Sequence, residues 1–186
     1  IPEITIGIIG VGRIGQRVLR RLSSFGTPRI LVNDLNPDDR LIPQTKFVWT
    51  DKEEIYKQAD IISLHLPLTK HTKNMIRAEH IALMKPDAIL INTARGGIIN
   101  ELDLANALNA GHLHGAAIDV FESEPYTGPL ADIERCILTS HMGSMTVDCR
   151  TRMEIEATEE AVRFLRGLPL EREVPEAEYD VQKAGL

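Results

Sequence analysis

The chain is poor in cysteine, in aromatic residues and in long apolar runs. Two cysteines in 186 residues, Cys136 and Cys149, are too few for a disulfide framework. They read as free thiols of a cytoplasmic protein, where disulfides are uncommon. No apolar run approaches the ~18 residues that a membrane span needs, and no secretory leader is visible. There are one tryptophan, three tyrosines and four phenylalanines, and the formal charge is −6. That excludes a general nucleic-acid surface, which needs clustered Lys and Arg. No repeat and no low-complexity tract is present, and no metal-ligand spacing stands out. The apolar and charged fractions, 43% and 26%, are those of an ordinary globular domain. A chain of this length buries on the order of 70% of its unfolded surface.

What is present alternates. Ile4 to Ile9, Arg29 to Asn33, Phe47 to Trp49, Asp60 to Leu64, Ala88 to Asn92, Gly115 to Ile118 and Cys136 to Thr139 are short apolar runs of strand type. Between them lie helical patterns: Arg13 to Phe25, the DKEEIYKQA segment capped by Asp51, Ala78 to Met84, and a helix from the Asn100 cap through Ala110 that Gly111 ends. A long amphipathic helix is expected from about Met145 to Leu165. Strands separated by helices imply βαβ units, hence an α/β fold with a Rossmann-type, doubly wound parallel sheet. The predicted domain runs over 1–166, and 167–186 reads as an acidic tail. The first residue is Ile rather than Met, so a piece of a longer protein is expected.

The sequence GIIGVGRIG ends the first strand and opens the first helix. Gly10, Gly12 and Gly15 form G-x-G-x-x-G, a weak motif alone but a specific one in this strand–turn–helix context. Gly10 permits the tight turn, Gly12 lets the backbone approach a pyrophosphate, and Gly15 lets helix and sheet pack closely. The phosphates would lie on the unpaired N–H groups at the positive helix end. Asp34 closes the second strand, where a carboxylate accepts from the adenosine ribose and repels a 2′-phosphate. This favours NAD over NADP, with Arg40 close enough to argue for the phosphate. A methyltransferase would share the glycine turn but not the chemistry downstream.

Three residues downstream carry that chemistry. Arg95, in INTARGG, offers a planar guanidinium suited to bidentate binding of a carboxylate. Glu124 lies in DVFESEP and His141 in LTSHMGS. Imidazole is the general acid–base suited to neutral pH, and a carboxylate on its other nitrogen fixes the tautomer. Each follows a strand, so all three can meet at one sheet edge, where ligands bind in this architecture. Asp119 and Gly143 flank the arrangement. His65, His71, His80, His112 and His114 read as structural or surface residues.

HLPLTKHT, INTARGG, GAAIDVFESEP and LTSHMGS, in this order after GVGRIG, resemble the D-isomer-specific 2-hydroxyacid dehydrogenases, which include phosphoglycerate, glycerate, lactate and formate dehydrogenases and glyoxylate/hydroxypyruvate reductases. The resemblance covers about Ile4 to Leu165 and implies an NAD-dependent oxidoreductase of phosphoglycerate dehydrogenase-like type. By resemblance, Arg95 binds the substrate carboxylate, His141 donates the proton and Glu124 is its partner. Arg13 and Ile14 contact the pyrophosphate and Asp34 the ribose. Leu66, Pro67, Thr93, Ala94, Asp119, Gly143 and Ser144 line the nicotinamide side, with Arg95 and His141. The substrate would be a small 2-hydroxy or 2-keto acid, and homodimerisation through cofactor domains is implied. Two departures stand out: Ser140 where the family usually has proline, and Asn100 where it often has aspartate. The upstream substrate domain of the family is not in this sequence, so poor turnover by the chain alone is expected. The corepressors known as C-terminal-binding proteins keep the same constellation, which leaves an NAD-sensing binding protein as the alternative. A degenerate module without ligand is a second.

Overall fold

The computed structural model describes residues 3–26, 28–38 and 46–173. Arg40 and most of the acidic tail lie outside them. Among the described residues seven strands form one fully parallel sheet: β1 (Thr5–Ile9), β2 (Arg29–Asn33), β3 (Val48–Trp49), β4 (Ile61–Leu64), β5 (Ile89–Asn92), β6 (Gly115–Ile118) and β7 (Cys136–Leu138). Their spatial order is β3-β2-β1-β4-β5-β6-β7. The direction of winding reverses between β1 and β4, the switch point at which this class of sheet binds its ligands.

Among the described residues five α-helices accompany the sheet: α1 (Arg13–Leu22), α2 (Lys52–Gln58), α3 (Ala78–Ile81), α4 (Glu101–Asn109) and α5 (Val147–Leu165). Alternation along β1 and β2 divides the core. Ile6, Ile8, Ile30 and Val32 pack beneath Leu19 of α1 on one face. Ile9, Leu31, Ile62, Leu64 and Leu90 meet Ile55, Ile81 and Leu104 of α2, α3 and α4 on the other. The capping chemistry follows the sequence. Asp51 accepts from the Glu54 N–H at 2.8 Å and Asn100 from the Asp103 N–H at 3.0 Å. Gly111 closes α4 at φ 71°.

Some boundaries differ from the pattern. The first helix keeps α geometry only to Leu22, and Ser23–Phe25 tightens to a 3-10 turn before Gly26. The expected helix Ala78 to Met84 holds α geometry only over Ala78–Ile81. The last helix starts at Val147, where Thr146 takes the cap by accepting from Cys149 N–H. Its amphipathic pattern is not matched by burial. No residue of α5 is buried, and Phe164 and Leu165 are 72% and 82% exposed.

Candidate functional site

The C-terminal edge of the sheet collects the loops that the sequence marked. Between β1 and α1, Gly10 adopts φ 96°, and a Cβ there would lie 2.5 Å from the His65 carbonyl oxygen. Glycine is therefore required at this turn. A Cβ on Gly15 would lie 2.1 Å from the Gly10 oxygen, so helix and loop touch there. At Gly12 nothing stands within 4 Å of that position. Gly12 caps α1 without a side-chain hydrogen bond, and the first turn of α1 holds no acid. The positive helix end thus faces open space, the arrangement that takes a phosphate. Asp34 ties the loop to the end of β2: Oδ2 accepts from the Val11 N–H at 2.6 Å and Oδ1 from the Asn36 N–H at 3.0 Å. Each oxygen keeps acceptor capacity for a hydroxyl. These residues fit a dinucleotide.

Arg95, Glu124 and His141 line one cleft of about 570 Å³, together with Leu68, Lys73 and Glu122. His141 Nδ1 lies 3.2 Å from Glu124 Oε2, with the two side chains 48% and 39% exposed. Glu124 Oε1 accepts from the Phe121 N–H at 3.1 Å. That N–H, and then His141, hold the Glu124 carboxyl below the usual carboxylate range. Arg95 Nη1 donates to the Ala94 carbonyl at 2.6 Å. A Cβ on Gly96 would lie 1.9 Å from the Phe121 oxygen, so the Arg95 and Glu124 loops are pressed together.

Asp119, expected beside the nicotinamide, is 8% exposed and works inward. Its Oδ1 accepts from Thr139 Oγ1 at 2.5 Å and from the Met142 N–H at 2.9 Å. Gly143 and Ser144 form a 3-10 turn with Met142, directly after His141. Leu66 and Pro67 follow β4, as Thr93 and Ala94 follow β5. The histidines set aside lie outside the cleft lining. Among them, His65 bonds Ser63 Oγ through Nε2 at 3.0 Å, and burial holds it below its ordinary range.

Sequence reasoning missed the residues that brace this site. Asn92, 2% exposed, donates from Nδ2 to the Arg95 carbonyl and accepts at Oδ1 from the Ala94 N–H, fixing the intervening loop. An amide ending a buried strand was the available signal. Glu101, legible only as an acid in the first turn of α4, accepts from the Glu122 N–H at 2.8 Å. Lys73 pairs with Glu122 at 3.5 Å on the cleft wall.

Comparison with known proteins agrees with this geometry. Residues 1–143 match the family model described as D-isomer specific 2-hydroxyacid dehydrogenase, NAD binding domain. The chain is 40% identical over 174 residues to a glyoxylate reductase of Thermofilum pendens, covering 89% of this chain and 50% of that protein. It is 39% identical over 170 residues to a D-3-phosphoglycerate dehydrogenase of Bacillus subtilis, covering 89% and 32%. The crystal structure of D-lactate dehydrogenase with NAD+ from Lactobacillus jensenii matches with a TM-score of 0.82 at 31% identity, over 92% of this chain and 56% of that one. The chain thus spans half or less of the length of these curated relatives. It belongs to the D-isomer specific 2-hydroxyacid dehydrogenase family, as its NAD binding domain.

Proposed function

From that membership, we propose that the chain binds NAD(H) at the C-terminal edge of its sheet and supplies the acid–base and carboxylate-binding groups of a D-2-hydroxyacid dehydrogenase. The observation that carries this is the single cleft lined by Arg95, Glu124 and His141, with the imidazole paired to the carboxylate at 3.2 Å. NAD, when bound, supplies or accepts the hydride at C2 of the substrate. The pairing of Nδ1 with Glu124 leaves Nε2 of His141 to give a proton to the keto oxygen in reduction. The same nitrogen takes the hydroxyl proton in oxidation. Arg95 holds the substrate carboxylate through its two-pronged guanidinium and polarises the adjacent carbonyl. The 2-keto acid gains one hydride and one proton to become the 2-hydroxy acid.

The cofactor residues of this reading are those around Gly12 and Asp34, with Leu66, Pro67, Thr93, Ala94, Asp119, Gly143 and Ser144 toward the nicotinamide. The domain reading is a cofactor domain over 1–166 with an acidic tail, which works against a separate substrate domain. Closure of the two excludes water and positions the reactants, so the chain alone should turn over poorly. We place the protein in the cytoplasm as a homodimer. Among the described residues no helix is long and apolar enough to cross a membrane.

Calorimetric titration with NADH and, separately, NADPH tests the reading. Clear NADH binding with weak NADPH binding supports it. Absence of binding by a chain that melts cooperatively refutes it.

A further inference from the structure

We propose that Thr139 is a positioning residue for His141, acting through the buried carboxylate of Asp119. The backbone of His141 is left-handed, with φ 54° and ψ 52°. That conformation is uncommon outside glycine and costs free energy that the surroundings must offset. The restraint is a clamp that straddles the histidine. The His141 N–H donates to the Asp119 carbonyl at 2.8 Å. On the C-terminal side, the Met142 N–H donates to Asp119 Oδ1 at 2.9 Å. On the N-terminal side, the Thr139 hydroxyl donates to that same oxygen at 2.5 Å.

Thr139 is itself anchored, since its N–H donates to the Ile118 carbonyl at 3.0 Å. The rotation of the Asp119 carboxylate is therefore set by a hydroxyl fixed to the sheet. Without that hydroxyl, Oδ1 keeps the Met142 N–H alone and the buried carboxylate turns toward other donors. Met142 then moves with it, and the imidazole loses register with Glu124. The charged groups around the ring are Glu124 at 3.2 Å, with Arg95, Lys73 and Glu122 on the cleft wall and Asp119 beneath the loop. Thr139 itself reaches Asp119, two residues before the histidine it controls, and acts on the ring only through that carboxylate.

This inference rests on His141 being the acid–base group, but its test needs neither cofactor nor substrate. The tautomer of His141 is read from its imidazole nitrogen shifts by NMR at alkaline pH in the wild-type chain and in Thr139→Val, Thr139→Ser and Glu124→Gln. A carboxylate accepting from Nδ1 holds the proton on that nitrogen. Thr139→Val should move the tautomer ratio away from Nδ1–H by about 2- to 5-fold, the scale of an exposed pair. Thr139→Ser should keep the wild-type ratio, and Glu124→Gln should show the full loss. Thr139 is exposed, so these variants should fold. Thr139→Ala, which removes the same hydroxyl, must reproduce the change if valine disturbs the strand. A Thr139→Val or Thr139→Ala ratio equal to wild type overturns the proposal. So does a Thr139→Ser ratio that falls with the others, since the methyl group rather than the hydroxyl would then be at work. Failure of the wild-type chain to bind NADH would count against the cofactor reading and leave the tautomer result standing.

Discussion

Gly12→Ala separates what the fold needs from what a ligand needs. Gly10 and Gly15 are demanded by the protein itself, because a Cβ at either would overlap backbone at 2.5 Å and 2.1 Å. At Gly12 the backbone has φ −69°, a conformation open to alanine, and no protein atom lies within 4 Å of the new methyl. Alanine restricts the unfolded chain, which stabilises by about 0.4–1 kcal/mol. It is also a poorer helix cap than glycine by a similar amount. The two effects offset, so the melting temperature should stay within about 4 °C of wild type. In the proposed cofactor site, the methyl group would stand where the pyrophosphate approaches the first turn of α1. Overpacking of about 1–3 kcal/mol corresponds to a roughly 5- to 150-fold loss of NADH affinity. Calorimetry and a thermal melt on one sample read both quantities. Gly15→Ala is the control, expected to lower the melting temperature outright. NADH binding by Gly12→Ala at wild-type affinity would refute the reasoning, as would a melt as depressed as that of Gly15→Ala.

Gly96→Ala places a methyl 1.9 Å from the Phe121 oxygen; it should cost about 1–3 kcal/mol and lower the melting temperature by roughly 2–12 °C, and an unchanged melt would sink the claim that these loops touch. His65 is held by burial below its ordinary value of 6.5, so the unfolded chain binds its proton more readily than the folded one. Its contribution is then complete above pH 6.5 and lost as pH falls toward the folded value, and His65→Gln should flatten the melting temperature between about pH 7.5 and 5; a slope unchanged in the variant would contradict this. The Glu124 carboxyl is depressed by the Phe121 N–H and His141, so its share is present above its ordinary value of 4.5 and fades below it. Glu124→Gln should therefore remove part of the acid limb of the same profile, and an identical acid limb would speak against the pairing. Burial pushes the Cys136 thiol up to about 11, whereas Cys149 lies on α5 and is half-buried. An aromatic disulfide reagent at pH 8 should titrate one thiol rapidly in the folded chain and both only on unfolding; equal rates in the folded chain would count against the assigned burial.

The strands, caps and glycine turn were legible because their signals are short-ranged. Alternation, a capping Asp51 or Asn100, and the spacing Gly10-x-Gly12-x-x-Gly15 each act within a few residues, and the structure places all of them within a residue or two of their expected ends. That Arg95, Glu124 and His141 meet was legible from topology, since parallel strands gather their following loops at one edge. Apart from Asn92, whose bonds are local, the missed bracing was not legible because its bonds join residues far apart in the chain. Glu101 and Glu122 are 21 positions apart, and Thr139 and Asp119 are 20. No periodicity reports such pairs. The exposure of α5 escaped for a related reason. A hydrophobic stripe states that a helix has an apolar face, not which surface it meets.

The bracing follows a rule set by distance from the sheet. The parallel ladder does not stop where the strands end. The His65 N–H donates to Ile9, Asp119 to Asn92, and Thr139 to Ile118, each bond extending the sheet by one step beyond its last named residue. Arg95 and His141 lie three residues past β5 and β7, and each is held by a single residue near the strand end: Asn92 for one and Asp119 for the other. Glu124 lies six residues past β6, beyond the reach of the ladder. Its loop is held instead by four separate contacts: Phe121 N–H on the carboxylate, Glu101 on the Glu122 N–H, Gly96 against the Phe121 carbonyl, and Tyr126 stacked on the Phe121 ring at 4.1 Å. The proposed acid–base pair works only if both members keep register, and the imidazole starts from a left-handed backbone while the carboxylate starts from a long loop. The concentration of side-chain bonds around these two residues is what that register requires.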